Sequence, residues 1–489
     1  MSGFRSYAVV AFIVVATGLG CSREPAGPAP DAAADTIYAG GDVVTVNDAQ
    51  PTAEAVAVKA GRIIAVGTRE ALERAHRGQA TTMVDLAGRT LVPGLIDSHV
   101  HVAQLGTQAV GANLLASPDG DANTVDDVVR KLQEFARGPD VKRTGWIFGM
   151  GYDDSLLGRH PTRDDLDKVS TEVPVIAVHI SGHFSALNSV ALKQIGYTAA
   201  TKDPVGGVIR RRPGTREPLG VNDELAHFAY AFQAVTPKDQ ADKDYFLKRG
   251  LDLAKSFGFT TAIEGRAQRA NHEAFKDAAA RGLIDIDVLS YIDHADRAIL
   301  DADISSTYTG RYRAAGMKIT LDGSAPGRTA WLTTPYLEPP PGEKADYKAY
   351  GAIPDTQTVI DLVDEAYRKK WPTHIHANGD AAVDQLIAAV KPAFSKYGPA
   401  DRRTVMIHGV LMRADQLPVL KDLQVMPSLF PMHTFYWGDW YGRIIGPEAA
   451  QRIAPIGTAV RLGMRPTSHS DAPVALPNLM QVMWATVNR

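Results

Sequence analysis

Residues 93–101 read PGLIDSHVH. TLVPGLI (90–96) is a short apolar strand that runs straight into Asp97, His99 and His101. Side chains two apart on a strand point the same way, so both imidazoles leave one face. Two nitrogen donors near one point is what a divalent ion requires. Taken alone, His-x-His also describes a polar loop with two solvated histidines. The strands further along the chain decide between the two.

Working outward, residues 36–92 show alternating strands broken by Gly-Gly and Ala-Gly-Arg turns, with one helix near residues 68–77. This is a small β unit placed before the histidine pair. Beyond it, apolar β-rich runs alternate with amphipathic helical stretches. The strands are WIFGMG (146–151), VPVIAVHI (173–180), FTTAIEG (259–265), IDVLSYID (286–293), GMKITLDG (316–323), PTHIHANG (372–379), RTVMIHG (403–409), QVMPSLF (424–430) and MRPTSHSD (464–471). Such alternation predicts a parallel α/β fold. Many of these strands end in His, Asp or Glu. A (β/α)8 barrel gathers the carboxyl ends of its strands at one mouth, whereas a doubly wound sheet places its site at one switch point. The barrel is the better fit.

With 489 residues, 45% hydrophobic and 22% charged, the chain has the profile of a globular protein, and a net charge of −3 implies no attraction to nucleic acid. Arg210, Arg211 and Arg212 are its one notable basic run and are expected on an exposed hairpin. The single cysteine, Cys21, excludes an internal disulfide and any cysteine-built zinc site. Arg5, an apolar run over 8–19 and GLGC (18–21) fit an export signal and resemble a bacterial lipoprotein signal, with ordinary signal cleavage as the rival. A Pro/Ala-rich tether follows over 22–35. The expectation is export to the periplasm or cell envelope, with membrane anchoring only through a lipidated Cys21.

Five strand ends carry the chemistry: His99 with His101, Lys318, His376 (with His374 two residues earlier), His408 and Asp471. Imidazoles with a terminal carboxylate are ligands for Zn, Fe, Mn or Ni. The ordered series PGLIDSHVH, SGHFSALNSVAL (181–192), DPVGGVIRR, GFTTAIEG, MKITLDGS, HANGD, IHG and SDAP resembles the amidohydrolase superfamily, in its YtcJ-like family 3 branch, from residue 36 to 489. The resemblance implies a distorted (β/α)8 barrel with a small β-sandwich, residues 36–92 supplying the sandwich and 93–489 the barrel. It implies hydrolysis of a non-peptide C–N bond in a small amide-type molecule. His99 and His101 match ligands of the more buried ion, and His376 and His408 those of a second. Lys318 matches the lysine carboxylated to a bridging carbamate between two ions, read as zinc. Asp471 matches a ligand that is also the proton shuttle to the leaving nitrogen. His183 matches a substrate-contacting histidine.

Other residues are read more openly. Asp97 either orients a histidine from behind or makes a turn, and the role of His469 is open. His179 reads as a core histidine, and Asn188 as the cap of the next helix. Two long aromatic loops, 323–354 with Trp331 and 430–446 with His433 and Trp437, are expected to face substrate. Family chains continue past the Asp471 region into further sandwich strands, so the small domain is expected to lack its C-terminal strands. Two rival functions stay open: a mononuclear aminohydrolase, which would not need Lys318, and a non-catalytic surface-anchored binding lipoprotein. Oligomeric state is left open.

Overall fold

The computed structural model describes residues 33–180, 184–204, 207–231, 235–340 and 343–488. The chain divides into two compact units, up to Pro93 and from Gly94 onward. The first holds a four-stranded sheet of β1 (Thr36–Val44), β2 (Thr52–Lys59), β3 (Arg62–Gly67) and β4 (Thr82–Asp85), ordered β3-β2-β1-β4. Ala60 and Gly61 both take positive φ between β2 and β3, as a two-residue hairpin turn of the right twist demands. Helix Arg69–His76 starts where the Thr68 hydroxyl accepts from the Ala71 amide. Its Leu72 is buried with Ile37, Ala39, Ala55 and Ala57.

The second unit begins with β5 (Leu95–Val100), which carries His99. The chain does not pass directly to the next barrel strand. A separate six-stranded mixed sheet intervenes: β6 (Ala112–Asn113), β7 (Ile147–Tyr152), β8 (Val175–His179), β9 (Phe184–Leu187), β10 (Gly207–Arg211) and β11 (Pro218–Glu224), ordered β10-β11-β9-β8-β7-β6. The strands read over 146–151 and 173–180 are therefore real, but they belong to this sheet and not to the barrel. Their apolar content could not tell the two apart, because β7 and β8 are buried on both faces just as the barrel strands at 373–379 and 404–411 are. Asn188 caps helix Ser189–Ile195, accepting from the Ala191 amide at 2.8 Å, as expected. The arginine run lies on the β10–β11 hairpin and is paired rather than merely solvated: Arg210 with Asp223, Arg211 with Asp203, Arg212 with Asp164.

Helix Gln240–Ser256 brings the chain back against helix Val102–Ala109. The two meet at glycines: a Cβ on Gly250 would stand 2.7 Å from the Gly106 amide nitrogen, and one on Gly106 2.5 Å from the Phe246 carbonyl oxygen. The barrel then continues through β12 (Phe259–Ala267), β13 (Asp287–Asp293), β14 (Tyr312–Thr320), β15 (Thr373–Gly379), β16 (Thr404–Leu411), β17 (Met426–Leu429) and β18 (Thr467–Ser468). With β5 these make eight parallel strands in the order β5-β12-β13-β14-β15-β16-β17-β18.

Closure comes from the strand ends. The Asp471 amide donates to the His99 carbonyl at 3.1 Å, and the His101 amide to the Ala472 carbonyl at 2.9 Å. Helices Thr356–Lys369 and Asp380–Tyr397 pack Leu362, Val363 and Ala366 with Val383, Leu386 and Val390 against the strands. Each such buried Leu or Val contributes about 1.5–3 kcal/mol relative to exposure.

A second correction concerns residues 430–446. Most of this stretch is not a loop but helix Met432–Ile444, with Met432, His433, Tyr441 and Ile444 buried along one side.

Candidate metal centre

The register of the barrel assembles the site. Lys318 on β14 lies opposite His374 on β15, Thr320 opposite His376, and Ala377 opposite His408 on β16. His99 lies on β5 and Asp471 in the turn just past β18, the two strands at which the ring closes. His99 Nε2 stands 3.5 Å from Asp471 Oδ1, and His101 Nε2 stands 3.3 Å from the same oxygen. Ligand atoms held at ~2.1 Å by a tetrahedral ion would be about 3.4 Å apart, so these three already have the spacing of a coordination shell. Ligand atoms of His99, His101 and Asp471 all fall within 4.8 Å of one another. Asp471 Oδ1 and His99 Nδ1 are buried without a well-formed hydrogen bond, and the His101 imidazole at 3.3 Å is what faces the carboxylate oxygen. A buried carboxylate oxygen left so is costly unless a cation completes it.

Two positions of the expected ligand set carry unusual backbone. His408 and Asp471 have φ of 79° and 53°, in the left-handed region that side chains other than glycine rarely adopt. Such strain, about 1–3 kcal/mol each, persists where packing over-determines it and turns a side chain out of the strand direction. Gly265 meets the opposite need. A Cβ there would lie 2.0 Å from His99 Cε1, so only glycine leaves space for the ring.

Electrostatics follow from burial. Burial pushes the His101 imidazole down, but the Asp471 and Glu264 carboxylates outweigh it and hold it up at about 9. For Asp471, burial raises the carboxyl, yet His101 and its neighbours keep it below the ordinary range, hence ionised. Lys318 is 2% exposed, and burial brings its amine down to about 7. Its Nζ stands 3.5 Å from His99 Nε2 and forms no ion pair. The nearest acid along the chain, Asp322, does not pair with Lys318. Asp322 instead accepts from the amides of Trp331, Asn378 and Gly379, with Oδ1 3.0 Å from His376 Nδ1.

His376 and His408 lie side by side, ring centroids 4.6 Å apart, and His408 is 5.2 Å from His99. All six residues of the expected ligand set thus converge on one mouth. His374 sits deeper, stacked on Tyr291 at 3.4 Å. Asp97 is buried and accepts from the His99 and Ser470 amides and the Ser470 hydroxyl. It ties β5 to the last strand through backbone rather than through a ligand ring, and burial raises its carboxyl to about 7.

Of the expected substrate contacts, His433 is buried against Phe430, Trp437 and Tyr441, with Nδ1 2.6 Å from the Tyr441 hydroxyl. Phe430 in turn stacks on His469, so His433 and Trp437 border the histidine cluster. The Trp331 amide donates to Asp322, while its ring packs against the core between the barrel and its helices. His183, like Cys21 and the signal and tether up to residue 32, lies outside the described residues. His179 is buried in the inserted sheet, its Nε2 3.0 Å from Asp154.

Two contributors escaped the sequence reading. Glu264 is 1% exposed, with Oε1 3.6 Å from His101 Nδ1 and Oε2 accepting from the Ala103 amide. Asp322 braces His376 as described. Glu264 was detectable as an acid ending a strand in GFTTAIEG. Asp322 was read as part of the strand 316–323, whereas β14 ends at Thr320, and only folding shows what it faces.

Comparison with known proteins agrees with this geometry. The model of the Amidohydrolase family matches residues 82–489. YtcJ of Bacillus subtilis is 27% identical over 454 residues, covering 90% of this chain and 80% of its own. N-substituted formamide deformylase of Arthrobacter pascens is 25% identical over 474 residues, covering 93% and 84%. An uncharacterized metal-dependent hydrolase from Pyrococcus furiosus has the same fold, with a TM-score of 0.69 at 21% identity over 93% of this chain and 89% of that one. A family match over most of the chain, on a barrel whose strand ends gather histidines and a carboxylate, places this protein in the amidohydrolase family, metal-dependent hydrolases of C–N bonds other than peptide bonds.

Proposed function

We propose that the chain hydrolyses an N-acyl, N-formyl or aryl amide with a hydrophobic part, using His99, His101, Lys318, His376, His408 and Asp471 to hold two divalent ions, zinc by preference. The observation that carries this reading is the pair of imidazole nitrogens, from His99 and His101, standing at coordination spacing from Asp471 Oδ1. When bound, the ions polarise the scissile carbonyl and acidify water. Asp471, ionised and facing His101, accepts the proton of the attacking water and returns it to the leaving nitrogen. Lys318, a buried amine without a carboxylate partner, is suited to react with carbon dioxide, and its carbamate supplies the anionic oxygens that an ammonium lacks. His433 and Trp437 border the cluster and favour a substrate with an apolar portion. The N-substituted formamide deformylase among the relatives supports the N-formyl class.

The test is elemental analysis of protein prepared with zinc and bicarbonate, beside Lys318→Ala, followed by a screen for released amine. Two ions in the wild type and one or none in the variant are expected, with amine release lost in Asp471→Asn. One ion in both, with ammonia released from aminated heterocycles, would favour the mononuclear aminohydrolase. No ion in folded protein would leave only the binding-protein alternative. We also propose export and lipid anchoring at Cys21, on the sequence pattern alone. Cys21→Ala should move the protein from the membrane to the soluble fraction.

A further inference from the structure

Behind His408 runs a buried chain of hydrogen bonds that the proposed chemistry does not use. His408 Nδ1 lies 2.9 Å from His469 Nε2, and His469 Nδ1 lies 2.9 Å from the Ser428 hydroxyl. The Ser428 hydroxyl is 3.0 Å from that of Ser98, and the Ser98 hydroxyl donates to the Ser468 carbonyl at 3.1 Å. His469 and Ser428 are fully buried, and His408 nearly so.

Counting protons gives the chain a direction. A carbonyl cannot donate, so the single Ser98 proton goes to Ser468. Ser98 must then accept from Ser428, whose only proton is thereby used. Ser428 accepts in turn from His469 Nδ1–H. A neutral imidazole carries one N–H, so His469 Nε2 is bare and accepts from His408 Nδ1–H. Among the described residues, neither ring hydrogen-bonds a carboxylate that would hold a second proton. His408 is left with its lone pair on Nε2.

We infer that His469, braced by Ser428 and Ser98, is a positioning residue that fixes His408 in the tautomer whose Nε2 is free to bind an ion. The inference rests on the reading of His408 as a metal ligand. It assigns His469 a role that needs no contact with substrate or ion. Outer partners of this kind are worth 10–100-fold in metal affinity.

The test uses the full chain with uniformly 15N-labelled histidine, first free of metal and then titrated with zinc. His408→Ala and His469→Asn assign the two rings. In the wild type both should show the Nδ1–H tautomer. Ser428→Ala, a small change that leaves both rings in place, removes the acceptor and should bring in the Nε2–H tautomer at His408, with zinc affinity 10–100-fold lower. Ser428→Thr, which restores a hydroxyl, should recover both. An unchanged His408 tautomer and affinity within twofold in Ser428→Ala would overturn the inference. Wild-type zinc affinity in His408→Ala, with the tautomers as expected, would instead overturn the ligand reading, since the tautomer readout is made without metal.

Discussion

His101 is gripped from two sides, by Asp471 on Nε2 and Glu264 on Nδ1. Held at about 9, it carries a proton at pH 7.5 in the metal-free protein, and an ion can bind Nε2 only by displacing it. Titration calorimetry in buffers of different ionisation enthalpy should therefore find about one proton per protein molecule released from this ring on metal binding at pH 7.5. Release should decline above pH 9. Replacing Glu264 by Ala should weaken zinc binding about 10–100-fold, and Glu264→Gln less, because its carbonyl oxygen still accepts from Nδ1–H. Competition with a chromogenic chelator measures both. Lys318 titrates in the opposite sense. Its amine, brought down to about 7, is the free base above that pH and an ammonium below it. Since only the free amine takes up carbon dioxide, bicarbonate-dependent loading of the second ion should fall steeply between pH 8 and pH 6. Loading that is flat across this range would count against the carbamate.

Among the elements, strand ends and close helix contacts are the points of greatest sensitivity. Gly265→Ala on β12 would push a methyl into the His99 ring at 2.0 Å. The ring cannot yield without leaving Asp471, so zinc content should drop at least tenfold while the barrel still folds, at a cost of about 1–3 kcal/mol. Gly250→Ala tests a contact far from the chemistry. Its methyl would meet backbone of helix Val102–Ala109 at 2.7 Å. A stability loss of about 1–3 kcal/mol is expected, read as a lower melting temperature with zinc stoichiometry unchanged. The polar strand ends were legible in the sequence because an apolar run that stops at His or Asp is costly anywhere except at a mouth. Which sheet a strand joins was not legible: β7 and β8 have the apolar character of barrel strands, yet pair with β9 and β6. Helix Met432–Ile444 was missed for a related reason. Its aromatic composition resembles a binding loop, and its burial of Tyr441 and Ile444 appears only once it packs against the barrel.

For the whole molecule, ions held by the proposed ligand set would join β5 to β14, β15, β16 and the turn after β18, so binding should be felt as stability of the barrel. A ligand at 100 times its Kd adds about 2.7 kcal/mol by mass action. Zinc should raise, and a chelator lower, the melting temperature, with a smaller span in Lys318→Ala. An equal span in both proteins would sever Lys318 from the ions. The polar strand ends that the barrel brings together and the barrel class were readable from local pattern, since a period of two and the polarity of strand ends are properties of neighbouring residues. The roles of Glu264, Asp322 and His469, the closure of β5 on the last strand, and the sheet inserted between β5 and β12 were not. Each depends on which side chain faces which across 50 to 370 residues of chain, as between Ser98 and Ser468. Contacts at such separation are set by register and closure, which exist only once the barrel has folded.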